Sequence, residues 1–392
     1  MGLRIRHRSG RSAPSAQLRR LGQRSLNLRV KPPTECEMAM KSASFVSSAD
    51  LSGLLVRLAE KAELWVPAPE DTAPHRVTFR PFQAGMDLDG HRLPVTSPKK
   101  LLFPQGEELL RFRTGRSSSE AAMETVLLEE SADPRPTIVF GCRPCDARGF
   151  VVFDRAFLQG PFVDPYYKAR RDKNLVVSMV CPGPDAACFC GAVGSHPADT
   201  QGSDVQMIPV SEGYVLHALT EKGQELVRHL ENAPSQAQEQ EARHVWESAR
   251  RSVENVVSLM DSAPHFRKRF ADAAFWRLHT ERCLSCGVCT FLCPTCYCFT
   301  ITDETDGVQG QRLRSWDACM FHHFTQEASG HNPRPTKAER FRNRVGHKFS
   351  YFAEKHGHPA CCGCGRCLRH CPVAMDIRAI VRAMGETEDV HA

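Results

Sequence analysis

Apolar side chains recur at Leu51, Leu54, Leu55 and Leu58, the spacing of one helix face, with Ser48 and Asp50 placed just ahead as N-cap candidates. The pattern predicts an opening helix. The stretches PTIVFGCRPCD and KNLVVSMVCPGPD are short apolar, β-branched runs that end in cysteine and turn residues, which predicts buried strands with Cys142, Cys145 and Cys181 at their carboxyl ends. DVQMIPV and YVLHALT read as two more strands. The Gln- and Glu-rich run ENAPSQAQEQEARHVWESARRSVENVVSLM reads as an exposed helix. Beyond it the chain is cysteine-rich, and FHHFTQEASG and RFRNRVGHKFSYFAEKHG read as helical separators. The expected architecture is an α/β domain over residues 38–265, then a mainly helical domain over 266–392.

Charge changes this picture at one end only. The chain of 392 residues carries a formal +6. Residues 1–37 hold nine Lys/Arg against Glu35 and Glu37, a net +7 that leaves −1 for everything else. A nearly neutral body and the lack of a helix-turn-helix signature remove the argument for nucleic acid. The arm is expected to be a disordered basic extension, or to precede a start at Met38 or Met40; Arg19-Arg20 lacks the apolar segment of a targeting signal. No run of 18 apolar residues offers a membrane span, so direct membrane insertion is not expected.

Eighteen cysteines then dominate. A secreted disulfide framework belongs to short domains, whereas tight clusters of thiols fit metal binding in a reducing, cytoplasmic setting. Cys283, Cys286, Cys289 and Cys293 precede Pro294, and Cys361, Cys364, Cys367 and Cys371 precede Pro372. Both match CxxCxxCxxxCP, in which three thiolates hold one [4Fe–4S] cube and the fourth crosses to a neighbouring cube. The rule assigns Cys283, Cys286, Cys289 and Cys371 to one cluster and Cys361, Cys364, Cys367 and Cys293 to a second. The blocks lie 68 positions apart, so a helical insert is expected in place of the compact small-ferredoxin fold. Zinc is the competing reading of CxxC pairs, but zinc knuckles lack the full run. Gly287, Gly363 and Gly365 are expected to let backbone N–H groups approach sulfur. Arg366, Arg369, His322 and His323 read as solvated helix residues, and Cys362 as a packed bystander.

The chain resembles a known family, the iron–sulfur β subunits of soluble NiFe hydrogenases of the sulfhydrogenase type, together with their iron–sulfur counterpart in anaerobic sulfite reductase. GCRPCDARGF, CFCGAVGSHP, CPTCYCF, RSWDACMF, SGHNPRP, HKFSYF and CCGCGRCLRHCP carry the resemblance, which spans about residues 45–385. It implies an electron-transfer subunit, itself without catalysis, placed between a flavin-bearing, NAD(P)H-linked subunit and a catalytic partner holding a NiFe site or sirohaem. The chain has no P-loop, dinucleotide fingerprint or nucleophile elbow of its own.

Convergent strand ends gather four more thiols, Cys145, Cys181, Cys188 and Cys190, into a candidate third cluster. Zinc, an Asp146 or Cys142 ligand, and a redox CxxC at Cys142 and Cys145 stay open there. The family usually has an aliphatic residue at the position of Cys142, which places that residue outside the site. Cys296, Cys298 and Cys319 are three further thiols, too few for a cube. Two rival readings stand: a redox-sensing or regulatory iron–sulfur protein, and a reductase binding its own flavin or small substrate at the strand-end edge.

Overall fold

The computed structural model describes residues 42–86, 88–116, 124–130, 134–230 and 232–386; the expected basic extension lies outside them. β1 (Ala43–Ser47) leads into α1 (Leu51–Lys61), which buries Leu54, Leu55 and Leu58. β2 (Glu63–Glu70) and β3 (Ala73–Pro81) form an antiparallel hairpin. Next come β4 (Gly106–Arg116), β5 (Glu124–Glu130) and β6 (Thr137–Cys142), then α2 (Pro144–Phe157), α3 (Pro165–Asp172) and β7 (Asn174–Met179). β8 (Val205–Val210), β9 (Gly213–Ala218), α4 (Glu221–Arg228) and α5 (Gln236–Arg251) follow.

Seven strands make one mixed sheet in the order β1-β9-β8-β7-β6-β2-β3. Its centre is parallel, β2 to β6 to β7 to β8, and its edges are antiparallel. The β6 and β7 runs are hydrophobic on both faces because both are covered, as parallel sheets require. Ile138, Phe140 and Val177 face a core with α1 and α4, while Val139 and Val176 face Phe150, Phe153 and Phe157 of α2. The two-residue alternation of a strand thus sorts one sequence run into two cores.

The predicted exposed helix is shorter and less exposed than its composition suggests. Only Gln236–Arg251 is helical, begun by a Ser235–Gln238 capping box, and Ala242 and Trp246 are buried.

α6 (Ala263–Arg269), α7 (Ala273–Thr280) and α8 (Val288–Phe291) precede a hairpin of β10 (Phe299–Thr305) and β11 (Gln309–Trp316). The insert between the cysteine blocks is therefore not helical throughout. β10 is exposed along most of its length, and its apolar alternation is confined to Phe299 and Ile301. α9 (Lys337–Gly346) runs through a wider turn at His347–Tyr351 into α10 (Phe352–His356), and α11 (Arg366–Arg369) and α12 (Ile377–Ala383) close the fold. Trp276, Phe341, Val345, Phe349, Ile380 and Val381 form the helical core, and Phe189, Ala192 and Val193 of the α/β part enter it.

The chain separates into two compact units, one drawn from Glu108–Ser131 and Asp303–Leu313, the other from Ser42–Glu107, Ala132–Thr302 and Arg314–Ala392. Every thiol discussed below lies in the latter. In the smaller unit the Gly310 Cα hydrogen faces the Phe112 ring so closely that a Cβ would stand 2.3 Å from it.

Phe150 is 1% exposed. Phe150→Ala should lower stability by about 3–5 kcal/mol, read as a reduced urea midpoint with unchanged slope.

Candidate metal centres

The first block folds as a tight loop into α8, with Gly287 in the left-handed region at φ +77°. One cavity is lined by Cys283, Cys286 and Cys289 and, from the second block, Cys371 and Cys367. Backbone donors reach these sulfurs: Ser285 N–H to Cys283 Sγ at 3.4 Å and Met375 N–H to Cys371 Sγ at 3.3 Å. Cys293, Cys361 and Cys364 are buried. Cys293 interacts electrostatically with both Cys361 and Cys367, and Gly363 N–H points at Cys361 Sγ at 3.5 Å. Cys362 is also buried and hydrogen-bonds Cys364.

A cavity of about 470 Å³ is lined by Cys145, Cys181, Cys188, Cys190 and Cys364. Cys145 sits in the first turn of α2 and Cys181 just past β7, so the strand ends do bring them together. Cys188 and Cys190 belong to a loop held from three sides. Arg148 of α2 bonds Asp199 at 2.8 Å and the Gly194 carbonyl at 2.7 Å. Trp246 of α5 donates to Gln206, whose amide in turn holds the Ala198 carbonyl. Phe189 N–H donates to the Gly363 carbonyl at 2.8 Å. Burial pushes the Cys188 thiol up to about 11 and Cys190 up to about 12.

Gly363 and Gly365 set this junction. Both lie in the left-handed region, and a Cβ on Gly363 would stand 2.4 Å from the Cys190 nitrogen, one on Gly365 2.5 Å from the Ala187 carbonyl oxygen. Only glycine permits that backbone approach.

Two alternative ligands at this cavity are otherwise engaged. Asp146 accepts both guanidinium nitrogens of Arg366, at 2.7 and 3.1 Å, with both side chains fully buried. The reading of Arg366 as a solvated helix charge is thereby corrected: it also bonds the Pro94 carbonyl at 2.9 Å. Cys142 is buried in the core around α2 and lines no part of the cavity. Arg369 is partly exposed and pairs with Asp185. His323 lies on an exposed short turn 3.6 Å from Asp317.

Among the described residues, no three His, Cys, Asp or Glu groups converge closely enough to hold a single metal ion. Tetrahedral zinc, with Zn–S of about 2.3 Å, needs its thiolates about 4 Å apart. A cube interposes its own irons and sulfides, so thiols ringed around a cavity with N–H donors on their sulfurs fit an iron–sulfur cluster.

Residues 282–375 match the family model of a 4Fe-4S dicluster domain. Sulfhydrogenase 2 subunit beta of Pyrococcus furiosus is 31% identical over 249 residues, covering 61% of this chain and 71% of that protein. The chain belongs to the sulfhydrogenase β-subunit family. No solved structure matches it, and no helix among the described residues is long and apolar enough to cross a membrane.

What this β-subunit homologue adds to its dicluster motif is a buried cationic nest that the sequence did not disclose. Lys99, Arg344 and Lys348 are 3–4% exposed, and none pairs with a carboxylate among the described residues. Lys348 Nζ meets Cys293 Sγ at 3.3 Å, Thr295 Oγ1 at 2.9 Å and the Ala360 carbonyl at 3.0 Å. Arg344 donates to the Cys289 carbonyl at 2.8 Å and reaches Cys296 Sγ at 3.5 Å. Lys99 donates to the Cys296 carbonyl at 3.0 Å and stacks over Trp316. Burial works against the charge on Lys348, but the thiolates of Cys293 and Cys296 outweigh it and hold its pKa well above the ordinary lysine value. Burial wins at Lys99, bringing it down to about 8.

Asp146→Asn should strand the Arg366 charge in the interior and lower stability by about 3–5 kcal/mol, measured by urea denaturation. Burial, with Lys348 and Arg344 nearby, depresses His347 to about 4, and burial likewise depresses His358 to about 4. The unfolded chain takes up these protons near 6.5, so their contribution is complete above that pH and is lost as pH falls towards 4. Urea midpoints should decline across this window, and His358→Gln should flatten the decline.

Proposed function

We propose that this chain is an electron-transfer subunit of a multisubunit oxidoreductase, relaying single electrons through [4Fe–4S] clusters. One end of the relay is a flavin-bearing, NAD(P)H-linked subunit; the other is a catalytic subunit of hydrogenase or sulfite/sulfur reductase type. One cluster takes Cys283, Cys286, Cys289 and Cys371, and the second takes Cys361, Cys364, Cys367 and Cys293. A third takes Cys145, Cys181, Cys188 and Cys190. The α/β part over 38–265 carries the third centre, and 266–392 forms the dicluster part. Cysteine usage on this scale fits a reducing, cytoplasmic setting for the complex.

The observation that carries this reading is the interleaving of the two blocks, with Cys371 on the cavity of the first block and Cys293 bridged through Lys348 to the Ala360 carbonyl that immediately precedes Cys361 of the second. When bound, the clusters supply one-electron redox chemistry. The chain's own residues do the rest: thiolates hold the iron, backbone N–H groups donate to sulfur, and the helical core excludes water. Lys348 brings positive charge against the Cys293 sulfur and Arg344 against the backbone carbonyl of Cys289, which favours the more negative, reduced state.

Anaerobic purification with iron and acid-labile sulfide analysis should give about twelve irons per chain, four from each cube; about eight would remove the third cluster, and a colourless zinc protein would end the reading. Mass analysis of co-purifying subunits identifies the partners. Lys348→Met should shift one reduced-cluster EPR midpoint to lower potential by a tenfold change in the reduction equilibrium, about 59 mV for one electron, and Lys348→Arg should restore it.

A further inference from the structure

Cys296, Cys298 and Cys319 belong to none of the three ligand sets. Cys298 leads directly into β10 and Cys319 follows β11, so the hairpin brings the two together, and Asp317 N–H closes its base on the Cys298 carbonyl at 2.9 Å. The two thiols are close enough to shift each other's ionisation in opposite directions, Cys298 up and Cys319 down. Cys319 Sγ also lies 3.8 Å from Thr290 Oγ1, a residue set between Cys289 and Cys293 in the first block. Arg344 touches that same Thr290 hydroxyl at 3.4 Å. Lys99 lies against the backbone carbonyl of Cys296, two residues before Cys298.

We propose that Cys298 and Cys319 form a redox-active dithiol–disulfide couple that exchanges electrons with the clusters. The inference rests on the dicluster reading above. In the oxidising direction the Cys298 S–H bond breaks and its sulfur joins the Cys319 thiolate in one S–S bond. Two electrons leave, one to each of two oxidised cubes. Both cysteines are partly exposed, so the one proton released passes to solvent. The reverse step takes one electron from each of two reduced cubes and one proton from solvent, and restores the Cys298 thiol and the Cys319 thiolate. The couple thereby stores a pair of electrons where the cubes carry them singly. A thiolate is the reacting form of cysteine, and nearby cations favour it; the Cys298 thiol and Arg344 hold Cys319 down to about 6 against its burial. Because Lys99, Arg344 and Lys348 are better neutralised by thiolates than by a neutral disulfide, they favour the reduced pair and make the couple comparatively oxidising.

The full chain, purified anaerobically with its clusters, is equilibrated in dithiothreitol redox buffers, quenched in acid, alkylated with N-ethylmaleimide and mapped by peptide mass spectrometry. A Cys298–Cys319 linked peptide, lighter by two hydrogens, should appear at oxidising poise and vanish on reduction. Cys298→Ser and Cys319→Ser should each abolish it while iron content and both dicluster EPR signals stay unchanged. Lys99→Met should move the couple tenfold towards the disulfide, about 30 mV for two electrons. Full alkylation of both thiols at every poise overturns the proposal, as does loss of iron in either serine variant, which would make these residues cluster ligands. Linkage in a chain whose iron count is zero overturns the coupling to clusters and, separately, the dicluster reading itself.

Discussion

Buried positive charge without a carboxylate is the constraint around which the cysteine-rich half is arranged. Arg344 and Lys348 lie one turn apart on the helical run that starts with α9, Lys99 comes from a distant part of the chain, and each is drawn inward to the same group of sulfurs and carbonyls. An isolated cation in such an interior carries a penalty of several kcal/mol. Sulfur is the counter-charge at hand, so the position of α9, the start of the β10–β11 hairpin and the two cysteine loops are all tied to where the negative charge of the thiolates sits. The short backbone carbonyl contacts of the three side chains then spread each charge over more than one partner.

Much of this was legible in the chain itself, and the parts that were not share a cause. The cysteine blocks are local motifs whose spacing states their chemistry, and β6 and β7 are buried on both faces, so their apolar runs identify them without help. β2 escaped notice because Pro67 and Pro69 interrupt it, and β10 because its alternation stops after Phe299 and Ile301 and nearly all of it is exposed; in both, the partner strand decides the conformation. Arg366 misled for the same reason. Its sequence neighbours are those of a small surface helix, while its partner Asp146 lies 220 positions away and fixes it in the interior.

The third group of thiols is intermediate between these cases. The rule that ligands gather at the carboxyl ends of parallel strands located Cys145 and Cys181 correctly at one edge. It did not foresee that Cys364, read only as part of the second block, lines the same cavity. Nor did it foresee that Trp246, on a helix rich in Gln, Glu and Arg, braces the loop bearing Cys188 and Cys190 through Gln206.

The approach of Gly363 and Gly365 to the 187–190 loop bears on how such a fold is inherited. A ferredoxin segment stitched onto an enzyme can usually be exchanged between proteins as a cassette. Here the second cysteine block lacks room for even one methyl group against its neighbour loop, so each limits the substitutions that the other tolerates. The dicluster segment of this chain is for that reason a poor unit of recombination, however recognisable its motif.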